Sequence, residues 1–414
     1  MNLLKTSGLT FISTTIKLLA GLVINKAVAI YIGPAGLALI GQFQNFMTLT
    51  MTAAQGAINS GVTKYSAEYG KDSHKLPILF STASKISLTT SVLVGAVTIL
   101  FSDYISLQFL KTDSYSYIFV ILGFSIVLFV FNSLLLSILN GIKEIKTWVT
   151  INIIQSLYSL VFTTLLIVFL GIDGALIALV TNQSVIFFVV LWKLKNHQII
   201  KLKNFKHTFS LVEAKKLSGF AAMAITSAVS VPLSHLFIRN HIGETISWDA
   251  AGHWQAIWYI STMYLMVMTT ALSTYYLPRL SEISAKAELR KELLSGYKII
   301  MPIVLTMSLS IYLLKDFIIW LLFTKEFAPM RELFMWQLFG DVMKLAAWLL
   351  AYLMLAKAMT KIFIVTQIVS SLSFVMLSVF FVNNYGLIGM SYAFALNYTL
   401  YFLLMIKVTK SEWS

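Results

Sequence analysis

Apolar stretches long enough to cross a bilayer follow one another along almost the whole chain and leave room for little else. A helix needs about 20 mostly apolar residues to span the hydrocarbon core. Twelve such stretches are read, at roughly 9–32, 36–59, 78–101, 116–139, 148–170, 174–194, 217–240, 252–277, 297–322, 333–356, 362–382 and 387–407. Of 414 residues 58% are hydrophobic and only 12% charged, with a mean hydropathy of +0.82. No soluble domain of this size has that composition, so the fold class is an all-α polytopic membrane protein. The absence of cysteine excludes disulfides and thiolate metal sites. The first apolar stretch is too long, and too interrupted by lysine, to be a cleavable signal.

A net charge of +14 would suit a nucleic-acid partner, but its distribution does not. With the N-terminus inside, the inner loops hold Lys64, Lys71, Lys75, Lys143, Lys146, the run from Lys193 to Lys216, Arg279 through Lys298, Lys357 and Lys361. The outer loops hold Lys111, Arg239, Lys315, Lys325 and Arg331. Positive residues collect on the cytoplasmic side of a membrane protein. Both termini are therefore expected in the cytoplasm, and no nucleic acid is needed to explain the charge.

An internal repeat runs at an offset of 215, as in Lys146 and Lys361. The same offset relates Asn25 to Asn240, Ser66 to Ser281, Lys71 to Lys286, Gly171 to Gly386, Gly174 to Gly389, Asn182 to Asn397 and Lys195 to Lys410. Six spans per half is an even number, so the halves enter from the same side and form parallel repeats, with the substrate site expected between them. The expected organisation is an N-terminal six-helix lobe over 1–195, a cytoplasmic amphipathic linker over 196–216 and a C-terminal six-helix lobe over 217–414. In the linker Ile199, Leu202, Phe205 and Phe209 make an apolar stripe among lysines, which suits a helix lying on the anionic leaflet. The segment from Arg279 to Lys298 reads as a second amphipathic coupler, with Glu282 and Lys286 at i,i+4.

Charge at membrane depth is the main functional signal. The first span carries Lys17 and Lys26, and an ionisable group there costs roughly 3 kcal/mol unless it meets a partner or a wet cavity. Thr10, Thr14, Lys17, Gly21 and Asn25 share one stripe. Lys26 lies off it, so either a bend at Gly21 brings both lysines to one cavity or Lys26 faces a neighbouring helix. In the second span Gln44, Thr48, Thr52, Gln55 and Asn59 line one face. The eighth span answers with Gln255, Tyr259, Thr262, Thr269 or Thr270, and Ser273. Such amides and hydroxyls hydrogen-bond either a sugar or a neighbouring helix.

The seventh span has Pro232, a marker of bends, followed by His235 and Arg239 on one face. Arg239 could hold a phosphate with two parallel hydrogen bonds or sit at the lipid headgroups. Asp341 and Lys344 in the tenth span are three apart, able to pair with each other, and are also coupling candidates. Membrane-depth charge is otherwise positive, which favours an anionic substrate. No metal site, cofactor site, nucleophile motif or phosphate-binding loop is present in the pattern, so the chain is read as a transporter and not an enzyme.

Three stretches carry a resemblance to a known family: Ser247 through Ala256, Lys315 through Phe323, and Trp336 through Lys344. Gly33-Pro34-Ala35-Gly36 and Gly61-Val62-Thr63-Lys64-Tyr65 fit as well. They resemble the Wzx-type flippases of polyprenyl-linked oligosaccharides, in the MATE-like MOP superfamily. The resemblance implies a twelve-helix, two-lobed fold that moves an undecaprenyl-pyrophosphate-linked unit (an O-antigen unit or the common-antigen lipid) across the bacterial inner membrane, by alternating access and without ATP. It implies pyrophosphate contacts from Lys17, Lys26 and Arg239, and a loop acid at Asp249. Asn25, Gln44, Gln55, Asn59, Asp249, Trp254, Gln255, Trp258 and Tyr259 are expected to line the sugar cavity. The implied partners are the lipid-linked substrate, membrane lipids, a polysaccharide polymerase and a chain-length regulator. The competing reading is a MATE-type antiporter exporting small amphipathic molecules, which would want buried acids; Asp341 is the one candidate. A membrane glycan polymerase or ligase would need a large outer loop, and the outer loops are short.

Overall fold

The computed structural model describes residues 3–70, 74–272, 276, 279–280, 283, 285–357 and 359–413, with side chains described from residue 12 onward except at 202, 219–224 and 270–271. Lys71, Ser273, Ser281 and Glu282 and the side chains of Thr10 and Thr270 lie outside the described residues. The helices are α1 (Leu3–Tyr31), α2 (Gly33–Ala54), α3 (Asn59–Tyr69), α4 (Lys75–Leu100), α5 (Ser102–Leu110), α6 (Ser116–Gly141), α7 (Ile145–Leu194), α8 (Leu211–Thr245), α9 (Trp248–Ala271), α10 (Lys286–Leu313), α11 (Lys315–Leu322), α12 (Phe334–Ala356), α13 (Thr360–Tyr385) and α14 (Ile388–Trp413). Short 3-10 turns occupy Leu202–Phe205 and Lys325–Leu333.

Eight of the described helices are long and apolar enough to cross a membrane. One of them, α7, has 50 residues, about 75 Å at 1.5 Å per residue, far more than one crossing needs. Its helix breaks at Gly171, where φ is 57° and ψ −128°. The two spans read at 148–170 and 174–194 are thus the two arms of α7. The other expected spans fall in α2, α8 and α9, which are diluted by the amides, hydroxyls and charges discussed below. Phe124, Phe169, Leu313 and Met376 are exposed on their helices, as suits side chains whose solvent is lipid.

The chain groups into two compact units. Unit 1 is Met1–Ile32 with Gln42–Val229, and unit 2 is Gly33–Gly41 with Ser230–Ser414. In unit 1, α1 packs along α7, and α6 packs on α3, α4 and α7. Its core includes Val62, Leu79, Phe80, Leu134, Ile138, Ile186 and Leu217. In unit 2, α12 is the central helix, packed on α14, α10, α9 and α13.

The first residues of α2 group with unit 2 for local reasons. A Cβ on Gly252 would fall 1.9 Å from the Pro34 carbonyl oxygen, so only glycine allows that approach. Beside it, the Ala35 amide donates to Asp249 Oδ1 at 3.1 Å. A carboxylate at a helix N-terminus satisfies an otherwise orphaned amide and opposes the helix dipole.

The repeat is visible in backbone geometry. Gly386 has φ 64° and ψ −147°, matching Gly171 at the offset read in the sequence. Three residues on, a Cβ on Gly174 would meet the Leu166 carbonyl at 2.0 Å, and one on Gly389 the Phe381 carbonyl at 2.1 Å. Leu166 and Phe381 stand at the same offset. The two halves therefore make the same reversal by the same contact.

The linker departs from expectation. Instead of a helix on the leaflet, residues 196–210 hold only the turn Leu202–Phe205 and fold onto unit 1. Phe205 stacks on Phe80 with centroids 5.7 Å apart. The His207 carbonyl accepts from Ser81 Oγ and, at 2.8 Å, from Lys85 Nζ, and the Ser210 amide donates to Thr82 Oγ1 at 3.1 Å. The Tyr69 hydroxyl bonds Glu213 Oε2 at 2.8 Å and takes a hydrogen bond from Lys216 Nζ at 2.7 Å. Of the apolar stripe, Ile199 and Phe205 pack on the unit 1 core, whereas Phe209 stays exposed.

Candidate substrate-binding site

In unit 1, Lys17 is exposed on α1 and Lys26 is half-buried. Helix α1 runs without interruption through Gly21. Nine residues at about 100° each keep the two lysines on opposite faces, so the convergence that a bend would give does not occur. Asn25 is half-buried on the face of Lys17.

The polar stripe of the second span is divided. Helix α2 ends at Ala54, and Gly56 and Ala57 both have positive φ. Gln55 and Asn59 therefore lie across a helix junction instead of on one face. Asn59 Nδ2 donates to Gln55 Oε1 and to Ser133 Oγ, each at 2.8 Å, which tethers the junction to α6. Thr48 and Thr52 turn their hydroxyls back to the carbonyls of Gln44 and Thr48. Gln44, half-buried, stays on the α2 face.

Unit 2 gathers most of the predicted residues. Arg239 on α8 is 1% exposed, which removes it from the lipid headgroups. Its Nη2 donates to Gln255 Oε1 on α9, and its guanidinium carbon lies 5.5 Å from the Trp254 ring centroid. His235, one turn earlier on α8, is also buried. Its ring packs 5.2 Å from Trp254 and 4.2 Å from Trp258. Trp254 is fully buried, whereas Trp258 and Tyr259 are half-buried.

Asp341 and Lys344 do not pair. Asp341, fully buried on α12, accepts at Oδ2 from Ser261 Oγ at 2.6 Å and from the Tyr264 hydroxyl at 3.0 Å. Lys344 points instead into four aromatic rings. Its Nζ is 4.5 Å from the centroid of Trp258, 4.9 Å from Trp348, 5.3 Å from Tyr398 and 5.7 Å from Phe394. The i,i+3 spacing permitted a pair, but two hydroxyl donors on α9 hold the carboxylate and the ring cage stabilises the ammonium. Trp348 could have been read one turn beyond Lys344. Phe394 and Tyr398 could not, because nothing in the sequence brings α14 beside α12.

The chain matches the family described as "Polysaccharide biosynthesis protein" over residues 3–284. It is 30% identical over 404 residues to the Lipid III flippase of Escherichia coli (strain K12), a match covering 98% of this chain and 97% of that protein. The chain belongs to the polysaccharide biosynthesis protein family. The Lipid III flippase of Shigella flexneri matches with the same identity and coverage. Among solved structures, an inward-facing multidrug resistance MATE family transporter of the MOP superfamily superposes with TM-score 0.78 at 16% identity, covering 95% of this chain and 94% of that one. A MOP superfamily transporter from Pyrococcus furiosus, described as having a binding pocket of reverse polarity, gives 0.74 at 15% identity, covering 97% and 93%. The fold of this chain is thus that of the MATE/MOP transporters, as the resemblance implied.

Proposed function

We propose that this chain is a flippase that carries a polyprenyl-pyrophosphate-linked oligosaccharide from the cytoplasmic to the periplasmic leaflet of a bacterial inner membrane. The observation that carries the reading is the likeness to a lipid III flippase along essentially the whole chain. The chemistry of the site residues supports it. A pyrophosphate is prohibitive to move through hydrocarbon unless its charge is compensated. Lys17 and Lys26, which lie on opposite faces of α1 and so can each meet the headgroup only separately, and Arg239 each offer a positive charge for that compensation. Tyr259 and Trp258 offer ring faces and a hydroxyl, and Asn25 and Gln44 offer amides, for the sugars. The headgroup passes by alternating access while the polyprenyl tail stays in the bilayer. Both termini lie in the cytoplasm, and a polysaccharide polymerase and a chain-length regulator act on what this chain delivers.

The drug-exporter reading is weaker on the same residues. The acid it would use, Asp341, already accepts from Ser261 and Tyr264, and the neighbouring charges are cationic. Expression in a bacterial strain lacking both its common-antigen and O-antigen flippases separates the two. Restored surface polysaccharide is the expected outcome. Normal membrane levels with no polysaccharide, together with acquired drug resistance, would assign the chain to export of small molecules.

A further inference from the structure

Lys344 is more than nine-tenths buried in the middle of α12. Among the described residues it forms no salt bridge, and no protein acceptor takes a hydrogen bond from its Nζ. The carboxylate that could have neutralised it, Asp341, is turned to Ser261 and Tyr264. What surrounds the ammonium is the four-ring cage of Trp258, Trp348, Tyr398 and Phe394.

This arrangement has a specific electrostatic consequence. A ring quadrupole stabilises a cation but carries no net charge. The cage therefore holds the ammonium in place without cancelling its charge, and among the described residues no protein acceptor takes its three N–H donors. A carboxylate partner would have cancelled both. The cage is also joined to the other buried cation of the unit. Trp254, under Arg239, and Trp258, under Lys344, are one turn apart on α9 with centroids 6.3 Å apart. His235 packs against both rings.

We propose that Lys344 is a second anion-binding residue of unit 2, presented by its aromatic cage to a phosphate oxygen of the transported lipid. The identity of the anion rests on the flippase reading; the existence of the anion site does not. Lys344 is then a binding residue in its own right and not the internal partner of Asp341.

The test uses the full chain in phosphatidylcholine nanodiscs, with tryptophan fluorescence as the readout because Trp258 and Trp348 flank the ammonium. Undecaprenyl pyrophosphate, undecaprenol and inorganic pyrophosphate are titrated separately. Lys344→Met, or Lys344→Gln if the methionine variant unfolds at lower temperature, should bind undecaprenyl pyrophosphate at least tenfold more weakly than the wild type. Lys344→Arg should stay within a few-fold, and undecaprenol should bind all variants equally. Inorganic pyrophosphate bound with the same dependence on Lys344 would support the anion site and assign it to soluble phosphates instead of a lipid. Binding within twofold of wild type in a folded Lys344→Met variant would overturn the proposal. So would recovery of binding in the Asp341→Asn, Lys344→Met double variant, which would show that only charge balance within α12 matters. If the wild type restores no polysaccharide in cells yet binds pyrophosphate through Lys344, the flippase reading falls and the anion site stands.

Discussion

At the scale of single residues, local hydrogen bonds give several side chains that the sequence offers to a sugar a second role. Asp249 is the clearest. The resemblance places it at the substrate, yet its carboxylate holds the first turn of α2 through the Ala35 amide. Removing a capping acceptor costs about 1 kcal/mol. Asp249→Ala should lower the unfolding temperature of the purified protein by a few degrees, and Asp249→Asn, which keeps an acceptor, should recover most of it. Equal stability in all three with lost export would return Asp249 to the substrate. Arg239 is different: the sequence offers it as a pyrophosphate contact, and the structure buries it on α8. Its contact with Gln255 was not legible, because α8 and α9 are joined by a turn whose angle no sequence spacing gives. Arg239→Lys keeps the charge but not the planar fork. It should leave a measurable fraction of polysaccharide export, whereas Arg239→Met should leave none at equal membrane level.

At the scale of elements, the 215-residue repeat was readable because glycines, asparagines and lysines recur where composition alone would not put them. The structure gives the physical reason for two of those glycines. At Gly171 and Gly386 the backbone sits at positive φ with strongly negative ψ, a region that costs an L-residue roughly 1–3 kcal/mol. Gly171→Ala and Gly386→Ala should each lower stability by about that amount in a thermal or denaturant titration, and by similar amounts, since the two turns share their geometry. A neutral outcome at either would mean that the reversal there is made by the flanking helices alone. The linker was not legible in the same way. Its apolar stripe predicted a buried face, but a stripe names no partner. Lipid and the Phe80 face of α4 satisfy it equally on paper, and the hydrogen bonds that hold the linker to α4, donated by Ser81 and Lys85 and accepted by Thr82, involve residues more than a hundred positions away.

At the scale of the whole molecule, the excess of positive charge is an argument about direction. Lysine and arginine retain a loop in the cytoplasm because moving them outward is opposed at insertion. The buried position of Arg239 inside α8 strengthens the asymmetry, since it takes one positive residue out of the outer loops and leaves Lys111, Lys315, Lys325 and Arg331 there. With the proposed cytoplasmic termini, the clustering of Lys201, Lys203, Lys206, Lys215 and Lys216 in and just after the linker would fall on the side where a negatively charged leaflet adds about 1 kcal/mol per residue. The chain contains no cysteine, so single cysteines report position without background. Lys143→Cys and Lys206→Cys, both at exposed positions, should react with a membrane-impermeant maleimide only after the cells are opened. Asp113→Cys and Ala328→Cys, also exposed, should react in intact cells. The reverse pattern would place the termini outside and would require the anionic headgroup to be loaded against the charge asymmetry. The expected pattern puts the basic linker on the face where a lipid-linked pyrophosphate would first meet the protein.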